Sequence, residues 1–192
     1  LGEWDLWGHY HLIQGLLLYY DMTDDARAYD AVLRAAELIC RTYLDGDRRP
    51  IDAGSPECNL AILHGFAELY ARTGNPRYMA LIDRVIEDMQ KGRSGDWLRL
   101  GEQGKGFHEL PGWGFRWETL HIVQGFRIMY EVTGEERYRT ALLNLWRKAR
   151  DLDRHASGAY STNEAAIGTP FALGSIETCC SIAWAALSVD AL

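Results

Sequence analysis

Glu177-Thr-Cys179-Cys180 puts a carboxylate and two thiols within about one helical turn. Thiolates and carboxylates both suit zinc, and this stretch offers two or three of the ligands that a tetrahedral site needs. The spaced Cys-x-x-Cys pairs of strong zinc motifs are absent, so spacing alone leaves an ordinary helix face with a buried thiol as the competing reading. A short way upstream, Glu164 lies in the irregular stretch Ser161-Thr-Asn-Glu164-Ala-Ala-Ile-Gly168. A carboxyl partly shielded from water there would have a raised pKa and serve as a general acid; a solvated loop glutamate is the plainer alternative.

Two histidines stand at matched places. His11-Leu-Ile-Gln-Gly15 and His121-Ile-Val-Gln-Gly125 are nearly the same peptide, with Ala61 at the equivalent position between them. Imidazoles on the inner face of a ring of helices would aim donors and acceptors at one cavity, which suits a hydroxyl-rich ligand. The alternative is a structural role between neighbouring helices. Trp113 belongs to a group of aromatic residues in and beside the loops, with Trp97, Phe107 and Phe115. Such rings stack on the apolar C–H faces of sugars, or else anchor their loops in the core.

A pattern that occurs three times must position these residues. Tyr20-Asp-Met-Thr-Asp-Asp-Ala-Arg27 is answered by Tyr70-Ala-Arg-Thr-Gly-Asn-Pro-Arg77 and by Tyr130-Glu-Val-Thr-Gly-Glu-Glu-Arg137. Each is preceded by an apolar helical run and followed by another, so the unit is a helical hairpin with a short turn. The hairpins are expected at about 5–45, 56–91 and 116–153, with the start of a fourth at 176–192. Ser55-Pro56 and Asn75-Pro76 read as a cap followed by proline in the first turn, which opens helices three and four. Helix three is expected to run without interruption to about Arg72, and a short strand is possible at Trp97-Leu98-Arg99-Leu100.

The threonines of the turns fall at 23, 73 and 133, wider than the roughly 34-residue period of a tetratricopeptide. The surplus lies between one hairpin and the next, so the irregular loops open at one end of the array. This is the arrangement of an all-α, α/α toroid. The 192 residues are expected to form a single partial toroid domain, because the chain opens and closes inside helices as a piece of a longer polypeptide would. The remainder of such a polypeptide, or a second copy in a homo-oligomer, would complete the ring.

Composition narrows the function. With 47% apolar residues the chain can build a core, and its net charge of −7 argues against a nucleic-acid partner. No apolar run reaches the roughly 20 residues that span a bilayer. Four cysteines at these spacings do not form a disulfide framework and no secretory leader is visible, so a reducing, cytoplasmic setting is expected.

Trp7-Gly-His-Tyr-His11-Leu-Ile-Gln-Gly15, the Thr-Gly turns and Ile176-Glu-Thr-Cys179 together resemble glycoside hydrolase family 127, the β-L-arabinofuranosidases, over most of the chain. The resemblance implies an (α/α)6 toroid and a retaining glycosidase acting on a carbohydrate substrate. It also implies a cysteine nucleophile held by zinc, with a glutamate acid/base. By position, Glu177 and Cys179 match metal ligands, Glu164 matches the acid/base, and His11 and His121 match pocket-lining histidines. Cys180 adjoins a ligand position and is grouped with the metal set. The family nucleophile belongs to a second Cys-Cys pair followed by Pro-Pro-Asn, a stretch these residues lack, so this segment alone is expected to be inactive.

Two other classes fit the hairpins. One is another toroid sugar enzyme, epimerase-like or unsaturated-glucuronyl-hydrolase-like, which would work without zinc. The other is a non-catalytic helical scaffold, whose histidines and loop aromatics would be replaceable.

Overall fold

The computed structural model describes residues 4–52, 54–91, 95–110 and 117–192. Trp113 lies outside them. The described residues are helical, with no strand and only two isolated bridges, Arg154 with Tyr160 and Thr162 with Ala165. The chain is all-α, and none of the described helices is long and apolar enough to cross a membrane. It divides into two compact units, Leu1–Asp88 and Met89–Leu192.

The first unit holds α1 (Asp5–Thr23), α2 (Ala26–Tyr43), α3 (Pro56–Leu60), α4 (Ile62–Thr73) and most of α5 (Pro76–Gln90). Leu6, Tyr10, Ile13 and Leu17 of α1 fall at helical spacing and are buried with Val32, Ala36 and Ile39 of α2 and with Ile62, Phe66 and Leu69 of α4. Arg49 reaches from a loop to the fully buried Asp88, whose second oxygen accepts the Ile51 N–H at 3.1 Å. The expected third helix is broken at Ala61, and Ser55 does not cap it: its hydroxyl donates to Glu57 Oε2 at 3.0 Å instead.

The second unit holds α6 (Trp97–Glu102), α7 (Trp117–Thr133), α8 (Glu136–Leu152) and α9 (Thr178–Asp190). The residues expected as a possible strand at 97–100 form α6. Asp96 caps it by accepting the Arg99 N–H at 3.0 Å, and Gly101 lets it lie so close to α8 that an added β-carbon would sit 2.9 Å from Ala141 Cβ. The Asp96 cap marks the stretch as a helix, and the small Gly101 lets that helix seat against α8. α7 packs on α8 and on α9.

The three turns share one chemistry. Thr23, Thr73 and Thr133 donate their hydroxyls to the carbonyls of Tyr19, Leu69 and Met129 at 2.7, 2.7 and 2.6 Å. Each hydroxyl also accepts the N–H two residues on, from Asp25, Asn75 and Glu135. The residue between is left-handed in every copy, with φ of 58° at Asp24, 65° at Gly74 and 71° at Gly134. Its N–H closes the preceding helix on the tyrosine carbonyl at 2.8 Å each time.

Candidate functional site

The second unit gathers most of the candidate chemistry around the start of α9. Glu177 is the N-cap residue, so its extended backbone folds the side chain over a first turn that carries Cys179 and Cys180. One carboxylate oxygen and the two sulfurs lie within 4.8 Å of one another. Cys179 Sγ donates to Glu177 Oε2 at 3.0 Å, and Cys180 Sγ stands 4.0 Å from the same oxygen. Burial, the Glu177 carboxylate and the neighbouring Cys180 push the Cys179 thiol up to about 12. Burial raises Cys180 as well, against the opposing pull of the Ser161 side chain and the Trp117 backbone, both of which face its sulfur. Without a cation the cluster therefore holds neutral thiols beside a carboxylate.

A divalent cation would reverse that state, because a coordinating thiol is deprotonated by the ion's charge. Bond lengths of about 2.0–2.3 Å put tetrahedral zinc ligands roughly 3.3–3.8 Å apart, so sharing one ion would open the 3.0 Å Cys179–Glu177 contact slightly and draw Cys180 in from 4.0 Å. The helix dipole also favours anionic groups at this end. These residues form a group that could hold a metal ion, offering one carboxylate oxygen and two sulfurs.

Glu164 sits at the tip of a tight two-residue turn. Thr162 and Ala165 exchange backbone hydrogen bonds at 2.9 and 3.1 Å, and the central pair, Asn163 and Glu164, have φ of 50° and 64°. Two left-handed central residues mark a type I′ turn, a place for asparagine and glycine but not for glutamate. The turn is tied to the approach to α9. Asn163 N–H donates to the Ser175 carbonyl at 2.8 Å, and Asn163 Oδ1 accepts the Ser175 N–H at 2.9 Å and its hydroxyl at 3.1 Å. Just before the turn, Tyr160 is fully buried, with its ring stacked 5.6 Å from Trp184 of α9. The glutamate loop and the Glu177–Cys180 cluster are thus fastened to the same helix.

His121 joins this group through α7. Its ring lies edge-on to Trp117, whose backbone faces Cys180, with centroids 5.3 Å apart. Asp190 accepts from Gln124 Nε2 at 2.9 Å, which turns Gln124 Oε1 towards His121 Nδ1 at 2.7 Å. Nδ1 must then carry the proton, leaving Nε2 as the acceptor of the neutral ring.

Among known families, the profile of the β-L-arabinofuranosidase GH127 catalytic domain matches residues 2–190. The chain belongs to this family. The GH127 domain is a glycoside hydrolase domain of the β-L-arabinofuranosidase kind, and its class implies a carbohydrate substrate. No curated protein and no solved structure matches the chain.

His11 of the GH127 domain lies in the first unit. Its ring is largely exposed, with one edge on Trp7 at 4.3 Å between centroids, and the water lost on that side lowers its pKa. Behind it, the buried Tyr10 touches His11 at 4.9 Å and shares a 2.9 Å hydrogen bond with His64. Sequence reasoning passed over His64. Its signal was available, because His64 occupies the repeat position held by Gln14 and Gln124. Ser161 beside Cys180 carried no such signal.

Proposed function

We propose that this domain takes part in the retaining hydrolysis of β-L-arabinofuranosides, with Glu164 as acid/base, a zinc ion held by Glu177, Cys179 and Cys180, and a cysteine nucleophile that the resemblance places outside these residues. The observation that carries the reading is the meeting of one carboxylate and two thiols at the start of α9, the helix to which the Glu164 turn is also tied. Bound there, zinc would supply the positive charge that keeps coordinating sulfurs as thiolates near neutral pH.

The chain's own groups account for proton transfer and recognition. Glu164, half-buried, would give its proton to the glycosidic oxygen as the bond to the sugar breaks, and as a carboxylate take a proton from the incoming water. This replaces one member of the usual carboxylate pair of glycosidases, since the resemblance assigns the nucleophile to a cysteine. His121, with Nε2 as acceptor, and His11 are assigned to sugar hydroxyls, and Trp113 to the apolar face of the ring. The hairpins are assigned to an α/α toroid.

Glu164→Gln tests the assignment. On an alkyl β-L-arabinofuranoside, whose leaving group needs a proton, kcat/KM, which reports only the steps up to cleavage of the glycosidic bond, should fall about 10²–10⁴-fold. On a nitrophenyl glycoside, whose leaving group departs unaided, the fall should be much smaller. Equal loss on both substrates would contradict the acid/base role.

A further inference from the structure

Glu164 occupies a left-handed backbone region, φ 64°, that an ordinary side chain disfavours, and such residues persist only where their surroundings over-determine them. The turn that carries it has two limbs, both fastened to the segment just after α8. On the near limb, His155 Nε2 donates to the Ser161 carbonyl at 2.9 Å and lies 3.1 Å from the Thr162 hydroxyl. On the far limb the fastener is Asp153, the C-cap of α8, only 3% exposed. Its Oδ1 accepts the N–H groups of both Ile167 and Gly168 at 2.7 Å. Bonds this short to a carboxylate are of the stronger, charge-assisted kind.

The second oxygen of Asp153 faces His108 Nδ1 at 3.6 Å, and among the described residues neither atom has a hydrogen-bond partner. The imidazole is held in a slot between two glycines. A β-carbon at Gly168 would come within 2.8 Å of its Cδ2, and one at Gly106 within 2.8 Å of its Cε1. The glycine bonded to Asp153 is therefore also the one that lies on His108, so carboxylate and ring clamp the same peptide.

We infer that Asp153, backed by His108, is a positioning residue for Glu164: it locks the far limb of the turn so that the strained glutamate keeps one orientation. The inference rests on the acid/base reading of Glu164 and adds to it the device that aims the carboxyl. Neither residue contacts the sugar in this scheme; a misplacement of about 1 Å at the reacting group is enough to lower the rate some 10²-fold.

The test uses the polypeptide that carries this domain together with the nucleophile segment, and the same two substrates, alkyl and nitrophenyl β-L-arabinofuranoside. Asp153→Ala should lower kcat/KM about 10²-fold on the alkyl glycoside and far less on the nitrophenyl glycoside, because kcat/KM reports only the steps up to cleavage of the glycosidic bond. Asp153→Asn keeps an acceptor but loses the charge, so its alkyl-selective loss should be intermediate, about tenfold. If the alanine variant does not fold, the asparagine variant is read by the same ratio. Equal loss on both substrates, or none, would reduce Asp153 to scaffolding and overturn the inference. Selectivity in Glu164→Gln but not at Asp153 removes the positioning role alone. No selectivity in Glu164→Gln removes the acid/base reading on which it stands.

Discussion

His11-Leu-Ile-Gln-Gly15 in the first unit and His121-Ile-Val-Gln-Gly125 in the second are close to one peptide, yet they are held differently. His121 ends a chain in which Arg127 donates to Asp190 at 2.9 Å, Asp190 accepts from Gln124, and Gln124 fixes the imidazole tautomer. His11 is the exposed one, steadied by Trp7 and Tyr10, and Gln14 Nε2 has no hydrogen-bond partner among the described residues. The repeat sets where each histidine stands on its helix. Both rings lie edge-on to a tryptophan one turn earlier on their own helix, Trp7 and Trp117, and what differs is the aspartate that α9 adds behind Gln124. The same helix carries Glu177 and the two cysteines, so the chemical weight of the domain falls in the second unit.

The contrast can be broken by treating the two glutamines alike. Gln124→Leu removes the link between His121 and Asp190 inside the fold and should cost about 1–3 kcal/mol in urea unfolding. Gln14→Leu removes a buried N–H that has no partner among the described residues and should leave stability unchanged or raise it by about 1 kcal/mol. Similar costs at both sites would mean that the network around His121 is incidental. A finer version uses the turns, where Asp24 holds the left-handed position that Gly74 and Gly134 hold elsewhere. Asp24→Gly should raise stability by about 0.5–1 kcal/mol and Gly134→Asp lower it by a similar amount, both read from thermal unfolding. A loss on Asp24→Gly would show that the three turns are not equivalent.

Much of the helical fold was legible because its signals are local. A threonine that bonds back to the previous helix turn and a left-handed residue recur with the same spacing, a capping side chain follows at Asp25 and Asn75, and apolar periodicity marks the helices on either side. α6 was misread, since the short apolar stretch Trp97-Leu98-Arg99-Leu100 suits a strand as well as a helix, and the local signal that decides, the capping side chain of Asp96, was passed over. No glycine or proline announces the break at Ala61.

The candidate site was readable as a set of residue types and not as an arrangement. Glu177, Cys179 and Cys180 stand together in the sequence, but their donors meet because Glu177 is an N-cap, a one-residue distinction from the helix start expected near Ile176. Glu164 lies in a conformation that local preference opposes, so no turn rule finds it. Asp153 and His108 meet the loop only through tertiary contacts. Such departures from local preference are expected where a fold carries function.

The central claim is that the start of α9 holds a metal, and elemental analysis of the purified full chain tests it most directly. The account predicts about one zinc per chain in the wild type and its loss in Glu177→Gln and Cys179→Ser, with both variants still helical by circular dichroism. Zinc retained at full stoichiometry in both variants would contradict it.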